Sequence, residues 1–184
     1  MSILKVSRLG HPVLRKVTAN VPAEALQSAS MQKLIDDMIE TMKEYDGVGL
    51  AADQVHESLQ LAVLEVAENP RYPDKPKVPL TVLVNPRITP LSEEMEDDWE
   101  GCLSIPDLRG RVPRSREVQI RALGTEGQRV EFRATGFHAR VIQHEHDHLI
   151  GKVFLDRMRS FESLTFLPEF SRYWQDNSNE AEEG

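Results

Sequence analysis

Gln143-His144-Glu145-His146-Asp147-His148-Leu149 is the stretch on which the reading of this chain turns. It contains H-E-x-x-H, and Gly151 stands where it can end a helix as the residue past the C-cap. A helix opening at Thr135-Gly136 and running to about Ile150 is expected. At about 100° of rotation per residue, His144 and His148 fall one turn apart on one face, so both imidazoles can reach a single metal ion. Glu145 flanks that face, near enough to act as general base on a water held there without being a ligand. His146 points away. Asp147 is either a partner that orients a ligand imidazole or a plain surface carboxylate.

Two histidines leave such a site short of a third protein ligand. The extended H-E-x-x-H-x-x-G-x-x-H arrangement fails, because Phe154 stands where its last histidine belongs. Glu169 offers a carboxylate downstream, but in Leu167-Pro168-Glu169-Phe170, close to an end expected to fray. Cys102 is the other candidate. A thiolate is a strong ligand for a divalent ion, and Gly101 beside it permits close backbone approach. Burial as a small apolar residue is the plainer reading of a lone cysteine next to Leu103 and Ile105. The residues alone leave both readings open.

Outward from this centre, residues 24–44 place Leu26, Met31, Leu34, Ile35, Met38, Ile39 and Met42 at helical spacing, an amphipathic N-terminal helix packed on a core. Asp46-Gly47-Val48-Gly49 breaks it. Residues 59–66 and 80–84 read as strands, the second closed by Asn85-Pro86, with a proline-rich charged loop over residues 69–79 between them. The acidic run Glu93, Glu94, Glu96, Asp97, Asp98 reads as the solvated side of a strand or loop. Residues 118–123 and 129–134 form a hairpin about Gly124-Thr125-Glu126-Gly127. Short, mainly antiparallel strands packed around a central helix carrying H-E-x-x-H describe an α+β fold rather than βαβ units. At 184 residues the chain suits one domain, over residues 1–170, with a polar acidic tail over residues 171–184.

The bulk properties exclude several classes. A net charge of −8 argues against a sequence-independent nucleic-acid binder, which needs clustered Lys and Arg; contact with ribosomal protein stays open. No stretch approaches the roughly 18 apolar residues of a spanning helix, and the N-terminus lacks a signal-peptide core. The single cysteine fits a reducing compartment, and a cytoplasmic location, bacterial or that of a mature organellar form, is expected.

Three segments, Gly47-Val48-Gly49-Leu50-Ala51-Ala52-Asp53-Gln54, Glu100-Gly101-Cys102-Leu103-Ser104 and Gln143 to Leu149, resemble in order the three signature motifs of the peptide deformylase family. The similarity covers about residues 4–160. It implies a hydrolase that removes the formyl group from the N-formylmethionine of nascent polypeptides, with Cys102, His144 and His148 holding one divalent metal ion. In the family that ion is typically Fe²⁺, with Zn²⁺, Ni²⁺ or Co²⁺ able to replace it. The resemblance also assigns catalysis to Glu145, to the Gln54 amide and to the Leu103 backbone N–H, which bind the formyl oxygen. It lays an extended substrate along Val48, Gly49 and Gly101. Helical spacing places Phe137 and Val141 on the metal-binding face, toward the helix start, as the floor of a methionine pocket. Arg140 departs from the apolar residue of several bacterial members; its stem can pack while its charge turns to solvent.

Overall fold

The computed structural model describes residues 2–67 and 76–175. Most of the proline-rich loop and the last nine residues of the expected tail lie outside the described residues.

The first long helix, α1, spans Ala29–Glu44 and starts later than its apolar stripe suggests. Ser28 is extended, and its Oγ accepts from the Met31 N–H at 3.2 Å, so it caps the helix there. Ala23–Ala25 forms a separate 3-10 turn behind Pro22. Leu26, Ile35, Met38 and Met42 are buried, with Met31, Leu34 and Ile39 packed at the edge of the same core. Two buried polar residues on α1 hold the start of the chain: Asp37 accepts from the Ser2 N–H at 2.7 Å and Thr41 Oγ1 from the Leu4 N–H at 2.8 Å.

Eight strands and two further helices follow α1 among the described residues. Strands β1 (Gly49–Ala51), β2 (Leu61–Val66), β3 (Val78–Pro90), β6 (Glu117–Leu123) and β7 (Arg129–Thr135) form a five-stranded antiparallel sheet in the order β1-β2-β3-β6-β7. Strands β4 (Met95–Cys102), β5 (Ile105–Ser115) and the short β8 (Thr165–Phe166) form a second sheet in the order β4-β5-β8. β1 and β4 are therefore both edge strands. β2 is aliphatic almost throughout because it contacts α1 and also the second helix, α2 (Gly136–Leu149). The acidic run falls on and before β4, with Glu93, Glu94, Glu96 and Asp97 exposed. Among the described residues no helix is long and apolar enough to cross a membrane.

Asn85-Pro86 does not end β3; the strand runs on to Pro90 through a register shift between Val84 and Arg87. Pro86 has no N–H to give the ladder, and a bulge is where a strand tolerates that. Asn85 takes the left-handed conformation, φ 51°. Its side chain replaces the lost pairing: Oδ1 accepts from the Val21 N–H at 2.8 Å and Nδ2 donates to the Val21 carbonyl at 2.9 Å.

α2 ends where Gly151 adopts φ 73°, and it touches β1, β2, β3, β6 and β7 of one sheet and β5 of the other. The polar tail expected from Ser171 begins later, because a third helix, α3, spans Leu167–Tyr173. Phe170 and Trp174 set their rings edge-on and tilted against Trp99 of β4, at 4.9 and 5.5 Å between centroids, and these aromatic contacts hold the helix to the second sheet.

Asn85→Ala removes both bonds to Val21 and puts a Cβ-bearing residue with no compensating side chain at positive φ. Urea unfolding should lose about 2 kcal/mol with an unchanged m-value; a loss under a few tenths would deny the side chain this pairing role.

Candidate metal centre

α2 brings His144, Glu145 and His148 to the junction of the two sheets. The turn joining β4 to β5 brings Cys102, and the 3-10 turn Ala52–Val55 that follows β1 brings Asp53 and Gln54. One ligand atom from each of Cys102, His144 and His148 lies within 4.8 Å of the others, and all three residues are buried. The Cys102 Sγ is 3.2 Å from His148 Nε2. His144 turns its Nδ1 to Glu100 Oε2 at 2.9 Å, and His148 turns its Nδ1 toward Asp53 Oδ2 at 3.5 Å. Each imidazole thus has a carboxylate behind it and keeps Nε2 for the centre. A thiolate and two so-oriented imidazoles are a donor set that fits one divalent transition-metal ion. Glu169 is exposed on α3, outside this group.

Beside the three donors lies a small cleft, about 40 Å³, that opens to solvent. Val48, Gly49, Gln54, Gly101, Cys102, Leu103, Phe137, Val141, His144 and Glu145 all border it, with His148 fully buried beneath. The Glu145 carboxylate packs against Gly49 so closely that a Cβ there would collide with it, and the Arg109 guanidinium occupies the same place at Gly101. Gln54 Oε1 accepts from the Ala51 N–H at 2.9 Å; its Nε2 donates to Ser104 Oγ at 3.1 Å and lies 3.5 Å from the Cys102 Sγ. The amide is held with its donor end toward the centre.

A sequence profile of the polypeptide deformylase family matches residues 3–163. Peptide deformylase 1 of Bordetella pertussis is 52% identical over 154 residues, 84% of this chain and 86% of that one. The chain belongs to the polypeptide deformylase family. Peptide deformylase 2 of Pseudomonas putida is 48% identical over 159 residues, 86% of this chain and 89% of its own length. Among solved structures, a class I type b peptide deformylase from Acinetobacter baumannii with Met-Ala-Ser bound superposes with a TM-score of 0.83 at 43% identity, covering 86% of this chain and all of that one.

In this deformylase the ligands rest on buried charges that the H-E-x-x-H reading does not reach. Glu100 is 4% exposed and accepts from Arg114 Nε at 2.8 Å and Nη2 at 2.9 Å, from Arg140 Nη1 at 2.9 Å, and contacts His144. Burial would raise its carboxyl, but Arg114 and His144 overturn that and hold it well below the usual carboxylate range. Arg140 does not turn to solvent. It is 3% exposed, and besides Glu100 it donates to the carbonyls of Val112, Glu96 and Asp98 at 2.7, 2.7 and 3.3 Å. Those carbonyls at the β4–β5 hairpin satisfy the fork that water would otherwise solvate. Asp147 orients no imidazole: it lies on the side of α2 facing β5 and pairs with Arg114 and Arg157.

Burial would raise the Cys102 thiol, yet His148 and His144 beside it bring it down to about 5. Against the opposing effect of burial, Cys102 and Glu100 raise His144 to about 10, and Cys102 and Asp53 hold His148 well above its ordinary value. Glu145 moves the other way from Cys102: burial lifts it to about 7, with the imidazoles opposing.

In chelator-stripped protein the ultraviolet absorbance of the thiolate should titrate with a midpoint near pH 5. A midpoint near the ordinary 9.0 would mean that the imidazoles do not govern this thiol.

Proposed function

We propose that this enzyme hydrolyses the formamide bond of N-formylmethionine at the start of newly made proteins, releasing formate and a free methionyl N-terminus. The observation that carries this reading is a Cys-His-His donor set lying where two open sheet edges meet. Cys102, His144 and His148 would hold one divalent ion, natively Fe²⁺, with Zn²⁺, Ni²⁺ or Co²⁺ as substitutes. When bound, such an ion supplies Lewis acidity that makes hydroxide accessible near neutral pH.

The chain's own residues then have separable tasks. An extended peptide adds to the free edges of β1 and β4, pairing with backbone at Val48-Gly49 and at residues 101–103. The Met-Ala-Ser bound to the Acinetobacter relative is the kind of peptide expected after such a reaction, which supports a methionyl peptide as the product. Gln54 Nε2 and the Leu103 backbone N–H stabilise the oxyanion that forms as the formyl carbon becomes tetrahedral, each donor worth about 3 to 4 kcal/mol by analogy with other oxyanion holes. Glu145 Oε2 takes a proton from the attacking water and passes it to the departing amine. A carboxyl near 7 suits both directions of that transfer. The methionine side chain rests on Phe137 and Val141, with Val48 closing the other side.

The reading further places one catalytic domain over residues 1–170, with α2 as its central element and α1 as its N-terminal amphipathic helix. Substrates are nascent polypeptides, met in the bacterial cytoplasm during transient contact with the ribosome.

Formate release from formyl-Met-Ala-Ser tests the activity. Glu145→Ala should keep near-stoichiometric metal while kcat falls by several orders of magnitude, since proton transfer is lost and the donor set is kept; loss of metal instead would make Glu145 a ligand.

The pocket assignment has its own test in Val141→Trp. For a folded, metal-loaded variant, kcat/KM for formyl-Met peptides should fall at least about tenfold, about 1.4 kcal/mol, with formyl-Ala peptides affected much less. Equal losses on both substrates would remove Val141 from the pocket.

A further inference from the structure

We propose that Asp53 is a positioning residue for the His148 ligand, receiving its Nδ1–H so that Nε2 is presented to the metal. The inference rests on the deformylase reading for the presence of a metal, but its evidence lies in residues to which that reading gives no part.

Asp53 and His148 are both completely buried. Neither oxygen of the Asp53 carboxylate, nor His148 Nδ1, has a hydrogen-bond partner among the described residues. A buried carboxylate without a donor and a buried imidazole nitrogen without an acceptor are each unfavourable, and polar groups in such positions normally find partners. These two face one another at 3.5 Å, a few tenths of an ångström beyond an ordinary N–H···O bond. Each is the partner that the other lacks.

The backbone holds Asp53 in that place. Its carbonyl accepts from the His56 N–H at 3.1 Å and from Ser7 Oγ at 3.4 Å, and the next carbonyl, that of Gln54, accepts from the Ser7 N–H at 2.7 Å. The turn that aims the Gln54 amide at the centre therefore also aims Asp53 beneath it. A metal ion held at Nε2 would draw electron density from the neutral ring and polarise Nδ1–H, while a carboxylate accepting from Nδ1 fixes the tautomer and raises the basicity of Nε2.

The two imidazoles are supported differently. Glu100 stands behind His144 with two arginines on its oxygens. Asp53 stands behind His148 with no such cation bonded to it among the described residues. Its carboxylate faces His148 directly at 3.5 Å, and through that imidazole it would act on the ion. Loss of Asp53 should weaken metal binding without touching the donor set.

Asp53→Ala and Asp53→Asn test this in chelator-stripped protein whose folding is checked by circular dichroism. Co²⁺ affinity is measured by competition with a coloured chelator, and the visible absorption of bound Co²⁺ reports ligand geometry. Asp53→Ala should bind Co²⁺ roughly 10- to 100-fold more weakly, and Asp53→Asn, which keeps an acceptor oxygen but not the charge, should fall between it and the parent. Both should alter the Co²⁺ spectrum. Affinity and spectrum matching the parent in both folded variants would overturn the proposal. If neither variant folds, nitrogen NMR of the unmutated Zn²⁺-loaded protein decides. A slowly exchanging, downfield Nδ1–H on His148 is expected, and a rapidly exchanging one would refute the bond. Formate release by the parent is scored separately, so failure of the deformylase reading would be visible independently of the Asp53 result.

Discussion

One helix carries more buried charge than its own backbone can satisfy, and the arrangement of the rest follows from that. Arg140, His144, Glu145, Asp147 and His148 are all buried on α2. Groups of this kind are tolerated inside a protein only when paired. The β4–β5 hairpin supplies most of the pairing: Glu100 for His144 and Arg140, Arg114 for Asp147, and three backbone carbonyls for the remaining Arg140 donors. The second sheet is thereby tied to the helix by directional bonds, and apolar packing alone would fix its position less sharply. Cys102 lies two residues beyond Glu100, so the same bonds that neutralise the helix also deliver the thiol to the histidines.

This coupling explains why the cleft is narrow and why glycine stands on both sides of it. β1 and β4 meet over α2 as edge strands, and unpaired edges normally invite association. Here each edge is backed by a charged side chain pressed against backbone: Glu145 over Gly49 and Arg109 over Gly101. Any Cβ at these positions would displace a side chain that is fixed elsewhere. The edges stay open to an extended chain while the groups behind them stay in register.

The sequence made the helices and hairpins legible wherever one periodicity ruled. The seven-residue stripe of α1, the histidine pair and Gly151 of α2, and the turn between β6 and β7 could all be read directly. The reading was incomplete where a side chain took over a backbone task. Ser28 moves the start of α1 past Leu26, and Asn85 carries β3 through a proline by bonding to Val21, a residue far away in the chain. Arg140 looked like a solvent-facing helix residue because its partners are carbonyls of a distant hairpin, which spacing cannot reveal. Trp174 lies in the stretch read as a polar tail and Phe170 just before it, although two aromatics at i and i+4 were the available signal. Glu100 and Asp53 stood inside quoted motifs and drew no role, since nothing local marks a carboxylate that will lie behind an imidazole.

Glu100 and Glu145 share burial and neighbourhood yet behave oppositely. Both are 4% exposed and both lie near His144. Burial alone would raise either carboxyl. Glu100 has two guanidinium groups bonded to its oxygens and is held ionised far below the usual range. Glu145 Oε2 has no bonded partner among the described residues, and its carboxyl rises to about 7. Two carboxylates in one buried site are thus driven to opposite protonation behaviour, chiefly by the arginines that one has and the other lacks. An arginine on Glu145 would leave the fold better satisfied and bring its carboxyl back down from near 7. The missing bond at Glu145 is therefore the feature of this centre that packing and charge satisfaction by themselves do not account for, and it fits the proton transfer proposed for this residue.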